Sequence, residues 1–255
     1  MRVVLSRKGF DSSAGGMPSP ILPDGTLLSL PIPDRGGTVR YADLNHGNES
    51  YLDIIKNLKP TTRIKDNYIC HLDPDLVDSV TPRSMPWLPL FGQCNQSQVH
   101  LAQHGIGVGD LFLFWGWFRQ TERIGKKLRY CPDAPDVHII WGYMKVGRVS
   151  TGKHMPPEYA YHPHGQLSLD TNAIYEGDPS NTGVFKYHPQ LAFTKNGMSR
   201  SKWEVPEFFK RISISYHSVD SFRDGYFQSA MRGQEFVLEE CAEAEDWAMD
   251  LIYHK

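Results

Sequence analysis

The chain has 255 residues, of which 40% are hydrophobic, and its formal net charge at pH 7 is −2. This charge argues against a protein that binds duplex DNA tightly and without sequence preference, because such proteins carry clustered lysines and arginines. It leaves open a protein that recognises one extruded base or a free nucleotide. The hydrophobic content is ample for one large core, and we expect a single domain, 1–255, with long loops.

The cysteines and the first residues indicate the compartment. The four cysteines, Cys70, Cys94, Cys131 and Cys241, are far apart and form no Cys-x-x-Cys pair. This spacing argues against a zinc ribbon and favours free thiols in a reducing cytosol. The N-terminus lacks the apolar core of a signal peptide, and no apolar run reaches the length of a membrane span. We therefore expect a cytoplasmic protein with no membrane partner.

The chain begins with a short apolar strand, residues 2–6, that leads into a polar, glycine-rich loop, residues 7–16. Free backbone N–H groups and two cations, Arg7 and Lys8, are typical of a site for an anion or nucleotide. The spacing matches neither a Walker A motif nor a dinucleotide fingerprint. The alternative is a surface loop with two solvated cations.

The next segments are predicted to be helix 48–58, capped by Asn48, and a strand that starts at Tyr68 and delivers His71 and Asp73 into a turn. A His-x-Asp pair on one strand face can be half of a metal site or a general base with its orienting carboxylate. Alternatively, the pair has no chemical role, and Asp73 with the following proline only caps a turn. A polar helix, 93–104, follows, with Asn95 or Ser97 as the predicted cap.

Two apolar runs, 107–119 and 138–149, are the most informative part of the sequence. The first reads as a strand buried on both faces or part of a barrel, and Gly116 within it predicts a bulge or bend. We expect the two runs to be adjacent antiparallel strands joined by the polar segment 120–136. This pairing would bring aromatic side chains together, among them Trp115, Trp117, Trp141 and Tyr143.

The C-terminal half has fewer chemical signals. His162 and His164 could bind a metal with a third ligand, but the intervening Pro163 is more typical of a rigid aromatic loop. The patterns of the remaining sequence predict strands at 172–175, 183–187, 191–193, 212–216 and 233–238 and a helix at 240–253.

The string from Phe10 to Gly25, preceded by residues 6–9, resembles the nucleotide modification associated domain family of the third type. The resemblance continues through residues 71–73, the strand after Gly109-Asp110 and residues 138–147, and so covers most of the chain. It implies a role in bacterial or phage systems that hypermodify DNA bases. It implies no reaction and no catalytic residue.

Residues 139–147, together with the strand that follows Gly109-Asp110, are also similar to PUA-like barrels of the ASCH and EVE types. In these families a small barrel holds a nucleobase against aromatic walls. The predicted fold class is therefore α+β: a mixed, mostly antiparallel β-sheet or a PUA-like barrel with a few peripheral helices.

The sequence favours a protein that handles a nucleotide or nucleobase in an aromatic pocket beside the N-terminal loop. Whether it is an enzyme stays open, as does its cofactor, and no metal ligands are assigned. Alternatives are a non-catalytic reader of modified DNA and a scaffold subunit with partners in a DNA-modification system. The candidate acid–base residues are Asp11, His71 and Asp73. The candidate ligand-binding residues are Arg7, Lys8, Ser12, Ser13, Trp115, Trp117, Arg119 and Tyr143.

Overall fold

The computed structural model describes residues 1–83 and 85–253. Within these residues three α-helices are found, namely α1 (Tyr51–Leu58), α2 (Asn95–Gln103) and α3 (Ala242–Tyr253). The described strands are β1 (Val3–Arg7), β2 (Ser19–Ile21), β3 (Pro33–Asp34), β4 (Asn45–His46), β5 (Glu49–Ser50), β6 (Ile69–Cys70), β7 (Leu90–Gln93), β8 (Leu111–Ile124), β9 (Lys127–Tyr130), β10 (Val137–Thr151), β11 (Ala173–Val184), β12 (Lys202–Trp203), β13 (Phe222–Arg223), β14 (Tyr226–Gln228) and β15 (Glu235–Val237).

The main sheet is organised around β8, and its strands follow the order β15-β1-β8-β10-β11-β7. β8 pairs antiparallel with β10 and parallel with β1. Two further strands pair with β8, β2 in parallel and β9 antiparallel. The sheet curls into a half-barrel and is mixed but mostly antiparallel. The predicted α+β class and the predicted pairing of the two apolar runs are both confirmed.

The apolar run in β8 is buried on both faces at its start, since every residue from Leu111 to Gly116 is buried. Its side chains enter a large core that includes the aromatic residues Phe112, Trp115 and Trp203. A second core forms under α1. The continuous apolar sequence thus reflects burial on two sides rather than an amphipathic strand.

Gly116 serves a different purpose from the predicted bulge. The irregular register lies on the partner strand, where Ile140 pairs with Trp115 but Gly142 already pairs with Phe114. A Cβ at Gly116 would stand 2.5 Å from the backbone carbonyl oxygen of Lys8. The glycine is therefore required by the close approach of the chain that leaves β1.

Two segments between predicted strands, 120–136 and 176–182, contain regular strand structure instead. The segment 120–136 continues β8 to Ile124, turns at Gly125 with φ of 60° and returns as β9. One long strand, β11, contains residues 173–175 of the first strand predicted there and residues 183–184 of the second, while residues 185–187 lie beyond its end. β11 follows β10 through two register shifts. These shifts interrupt the alternation of the side chains, so the sequence pattern suggested two strands where one is present.

The predicted strands at 191–193 and 212–216 are wrong. A single 3₁₀ turn, Pro189–Leu191, begins after His188, whose ring accepts the N–H of Gln190. In the second segment Tyr216 has a φ of 64°, which ends the extended backbone, and Ile214 makes one isolated bridge to Leu238. Local capping and backbone geometry override the apolar alternation there.

The helices occur where the sequence predicts them, with different ends. Ser50, and not Asn48, caps α1 by accepting the N–H of Asp53. The cap of α2 is Cys94, whose side chain makes no capping bond. Among the described residues, no helix has both the length and the apolar character needed to cross a membrane.

Candidate functional site

The N-terminal loop is ordered by its own carboxylate. Oδ1 of Asp11 accepts hydrogen bonds from the backbone N–H groups of Ser13 and Ala14 and from the Ser13 hydroxyl, each at 2.7 Å. Burial by itself would raise the pKa of Asp11, but these hydrogen bonds and the nearby Arg7 bring that pKa below its usual value. Asp11 is thus an ionised group that shapes the loop, and a low pKa is unfavourable for a general base.

A pocket of about 780 Å³ opens beside this loop. We call it the arginine pocket, and six of the predicted site residues line it together with Asp136 and Arg200. The six are Arg7, Asp11, Ser12, Ser13, Trp117 and Arg119.

Arg200 is the side chain that joins the two sides of the arginine pocket. Its guanidinium lies 4.0 Å from the centre of the Trp117 ring, and its Nη2 donates to Ser12 Oγ at 2.5 Å. Arg119 donates from Nη2 to the carbonyls of Cys131 and Pro132. The Asp136 carboxylate pairs with both arginines: Oδ1 lies 3.9 Å from Arg119 Nη1, and Oδ2 lies 4.0 Å from Arg200 Nη1. Three arginines against two aspartates leave the pocket cationic.

Four buried polar atoms in residues that line this pocket have no hydrogen-bond partner within the part of the chain that the structure describes. They are Trp117 Nε1, Arg119 Nε, Asp136 Oδ1 and Ser229 Oγ. Buried polar atoms in folded proteins nearly always have a partner, which is either protein, water or ligand. The wall of the arginine pocket therefore holds both donors and acceptors that protein groups leave unsatisfied.

His138 forms part of the same wall from β10. Its Nδ1 accepts the indole N–H of Trp203 at 3.0 Å. Burial, with the neighbouring cations Arg200 and Arg7, lowers the pKa of His138 to about 3. The imidazole is consequently neutral at physiological pH and belongs to the packing of the wall.

Three predicted ligand-binding residues lie elsewhere. Trp115 is fully buried and packs against the rings of His138 and Trp203, with centroids 4.8 and 4.9 Å away. Tyr143 is buried beside Gly183, next to Phe185.

Lys8, the third of them, has a side chain that is only 9% exposed. Its Nζ lies 3.2 Å from Glu235 Oε1 and 4.4 Å from the centre of the Phe91 ring. Glu235 therefore balances the charge of Lys8 inside the fold.

The other two acid–base candidates join a second site, which we call the histidine–aspartate cluster: His71, Asp73 and His164. One ligand-type atom from each lies within 4.8 Å of the others. His71 follows β6, and His164 lies in a single 3₁₀ turn, Pro163–Gln166. Asp73 also lines a cavity of about 540 Å³ that is distinct from the arginine pocket. The structure thus brings His71 and Asp73 together and leaves Asp11 at another pocket.

The protonation states in this cluster follow from its surroundings. Burial would raise the pKa of Asp73, but His162 and Lys8 hold that pKa far below its usual range. Burial lowers the pKa of His164 to about 4. At neutral pH the cluster therefore offers an ionised carboxylate and a neutral imidazole, the forms in which these groups bind cations.

Sequence reasoning missed Arg200, Asp136 and the part played by His164. The His162-Pro-His164 pattern was a usable signal, although only His164 of that pair belongs to the histidine–aspartate cluster. Arg200 had no local signal, because its contact with Ser12 joins residues 188 positions apart.

The curled sheet, the arginine pocket and the histidine–aspartate cluster define an α+β protein with a cationic pocket that has Trp117 in its wall. The chain belongs to the family described as nucleotide modification associated domain 3, whose model matches residues 2–239. The resemblance seen in the N-terminal string is confirmed, and it associates the protein with nucleotide modification. No curated protein and no solved structure matches the chain.

Proposed function

We propose that the protein binds a nucleotide, or a base extruded from DNA, in the arginine pocket as a step in DNA base modification. The observation that carries this proposal is the contact of Arg200 with both Trp117 and Ser12, which joins a planar cation, an aromatic ring and the N-terminal loop at one place. Family membership supplies the nucleotide context.

The chemistry of the pocket suits the parts of a nucleotide. Guanidinium groups bind phosphate through paired N–H donors, and Arg7, Arg119 and Arg200 supply three of them. A base can stack on an aromatic ring or on the plane of an arginine, and Trp117 with Arg200 offers both. The volume of about 780 Å³ lies within the usual range for small-molecule sites.

A non-catalytic reader of modified DNA is the second candidate. It is favoured because both carboxylates in the arginine pocket already have protein partners, which makes them less suited to acid–base catalysis. Asp11 is occupied by three hydrogen bonds from its own loop, and Asp136 stands between two arginines. A reader would bind modified DNA, change nothing in it and bring protein partners of a modification system to the site.

A thermal-shift screen tests the proposed binding. The ligands are deoxynucleoside 5′-monophosphates and single-stranded oligonucleotides with canonical or modified bases, each with and without divalent metal. A ligand at one hundred times its dissociation constant stabilises a fold by about 2.7 kcal/mol, which is easily detected. We expect at least one nucleotide or oligonucleotide to raise the melting temperature. If none does so at millimolar concentration, the proposal is wrong.

The same ligands separate an enzyme from a reader. After incubation with the protein, an enzyme leaves an altered base or a consumed nucleotide that mass spectrometry detects. A reader leaves the ligand unchanged although it raises the melting temperature.

A further inference from the structure

We propose that His71, Asp73 and His164 bind a divalent transition-metal ion. Their ligand-type atoms lie within 4.8 Å of one another, and they come from two segments of the chain, residues 71–73 and the 3₁₀ turn that holds His164. His71 Nε2 faces Asp73 Oδ2 at 3.9 Å, which is too long for a hydrogen bond. A metal ion between these two atoms would bind both of them.

The hydrogen bonds of His164 leave one ring nitrogen free for a metal. Its Nδ1 lies 2.8 Å from Asn172 Oδ1. The Asn172 amide nitrogen donates to the carbonyls of His164 and Leu167, which fixes Oδ1 as the acceptor. Nδ1 of His164 must therefore carry the proton, and Nε2 keeps its lone pair. This is the arrangement of a metal-binding histidine oriented by a second partner.

His71 is held in the same way by a carboxylate. Its Nδ1 lies 3.1 Å from Asp34 Oδ2. An ionised carboxylate accepts hydrogen bonds only, so Nδ1 carries the proton and Nε2 is free toward Asp73. A carboxylate behind a histidine is a frequent second partner at zinc sites.

Asp73 is oriented by one backbone donor and by one neighbouring imidazole. Oδ1 accepts the N–H of Gly92 at 2.7 Å and lies 3.3 Å from His162 Nε2. His162 Nδ1 accepts the N–H of His164, so the proton of His162 is on Nε2, the ring nitrogen that lies near Asp73. His162 is thus a positioning residue, and Oδ2 of Asp73 is the oxygen left for the ion.

Two imidazoles and one carboxylate are the ligands of many Zn²⁺ and Fe²⁺ sites. Three protein ligands leave coordination positions for water or a bound molecule, and Asp73 also lines the cavity of about 540 Å³. Metal–ligand distances of about 2.0–2.2 Å require the three side chains to draw slightly closer than they lie here. This site does not depend on the arginine pocket, so nucleotide binding and metal binding can fail separately.

Calorimetric titration of the metal-stripped full chain with Zn²⁺, Mn²⁺ and, without oxygen, Fe²⁺ tests the proposal. We expect one ion per chain for at least one metal. H71Q and H164Q should each weaken that binding by more than about 100-fold, the upper end of what loss of an outer-shell partner causes. His71 is 26% exposed, so H71Q is the variant expected to keep its fold.

The matched control is H154A, because His154 is an exposed histidine outside the cluster. Its affinity should equal that of the unchanged protein, and circular dichroism should confirm that every variant is folded. The proposal is overturned if none of the three metals binds at one ion per chain, or if folded H71Q binds as tightly as H154A.

Discussion

Lys8 and Glu235 form a buried ion pair, with Nζ 3.2 Å from Oε1 and with side chains that are 9% and 1% exposed. Gln93 donates to the same oxygen at 2.6 Å. The pair links the chain just after β1 to the start of β15. A lysine whose charge is already balanced inside the fold contributes less to phosphate binding than a free one, whatever its position in a glycine-rich loop.

The substitution Lys8→Met should lower the free energy of unfolding by about 3–5 kcal/mol, because it leaves Glu235 buried without its cation. The double change Lys8→Met with Glu235→Gln should cost less than Lys8→Met alone, since position 235 then carries no charge. Urea denaturation at pH 7 measures both. Equal or larger destabilisation of the double variant would show that the pair is not the main source of the effect.

Asp11 gives a prediction that separates catalysis from loop order. Asp11→Ala removes three hydrogen bonds and should destabilise the protein by about 1–2 kcal/mol, as the loss of a capping carboxylate does. Asp11→Asn keeps an acceptor oxygen and should cost less than half as much. Asp133→Ala, at an exposed aspartate, is the control for urea denaturation. If Asp11→Asn abolishes a turnover while binding and stability stay unchanged, Asp11 acts in catalysis instead.

His138 should make the fold sensitive to moderate acid. Its pKa is lowered to about 3, so between pH 6.5 and 3 the unfolded chain binds a proton that the folded chain does not. The stability that the neutral ring supplies above pH 6.5 is therefore lost progressively as the pH falls. Linkage gives a loss of about 2 kcal/mol at pH 5.

The measurement is the difference in unfolding free energy between pH 7 and pH 5. We expect this difference to be smaller in His138→Asn, which keeps an acceptor for Trp203, than in the unchanged protein or in His154→Ala. An identical difference in all three proteins would assign the acid sensitivity to other groups.

The pairing of β8 with β10 was predictable because the signal for each strand is local. An apolar run opened by a turn has few alternatives in a chain of this size, and β8 and β10 pair as the pattern indicates. The N-terminal loop was predictable for the same reason, since its strand, turn residues and charges are adjacent in sequence. Six of the predicted residues do line one pocket.

The contacts that decide chemistry were not predictable, because they join distant segments. Glu235 balances the charge of Lys8 from 227 positions away in the sequence, and no pattern near Lys8 indicates this partner. Trp115 and Trp117 are two residues apart and share one face of β8, yet one is fully buried and the other lines the arginine pocket. The difference comes from distant residues that cover the two rings, namely Trp203 and Phe236 on Trp115 and Arg200 on Trp117.

The most direct test of nucleotide binding in the arginine pocket compares two arginine variants by calorimetric titration. The ligands are deoxynucleoside 5′-monophosphates, with and without 5-hydroxymethyl groups on the pyrimidines, and single-stranded oligonucleotides carrying the same bases. R211A is the matched control, because Arg211 is an exposed arginine that pairs with Glu243 outside the pocket.

We expect the unchanged protein and R211A to bind the same ligand with affinities within about twofold. R200A should weaken binding at least about tenfold, which corresponds to the loss of one hydrogen bond to a charged group. The account is contradicted if R200A binds as tightly as R211A, or if the unchanged protein binds none of these ligands.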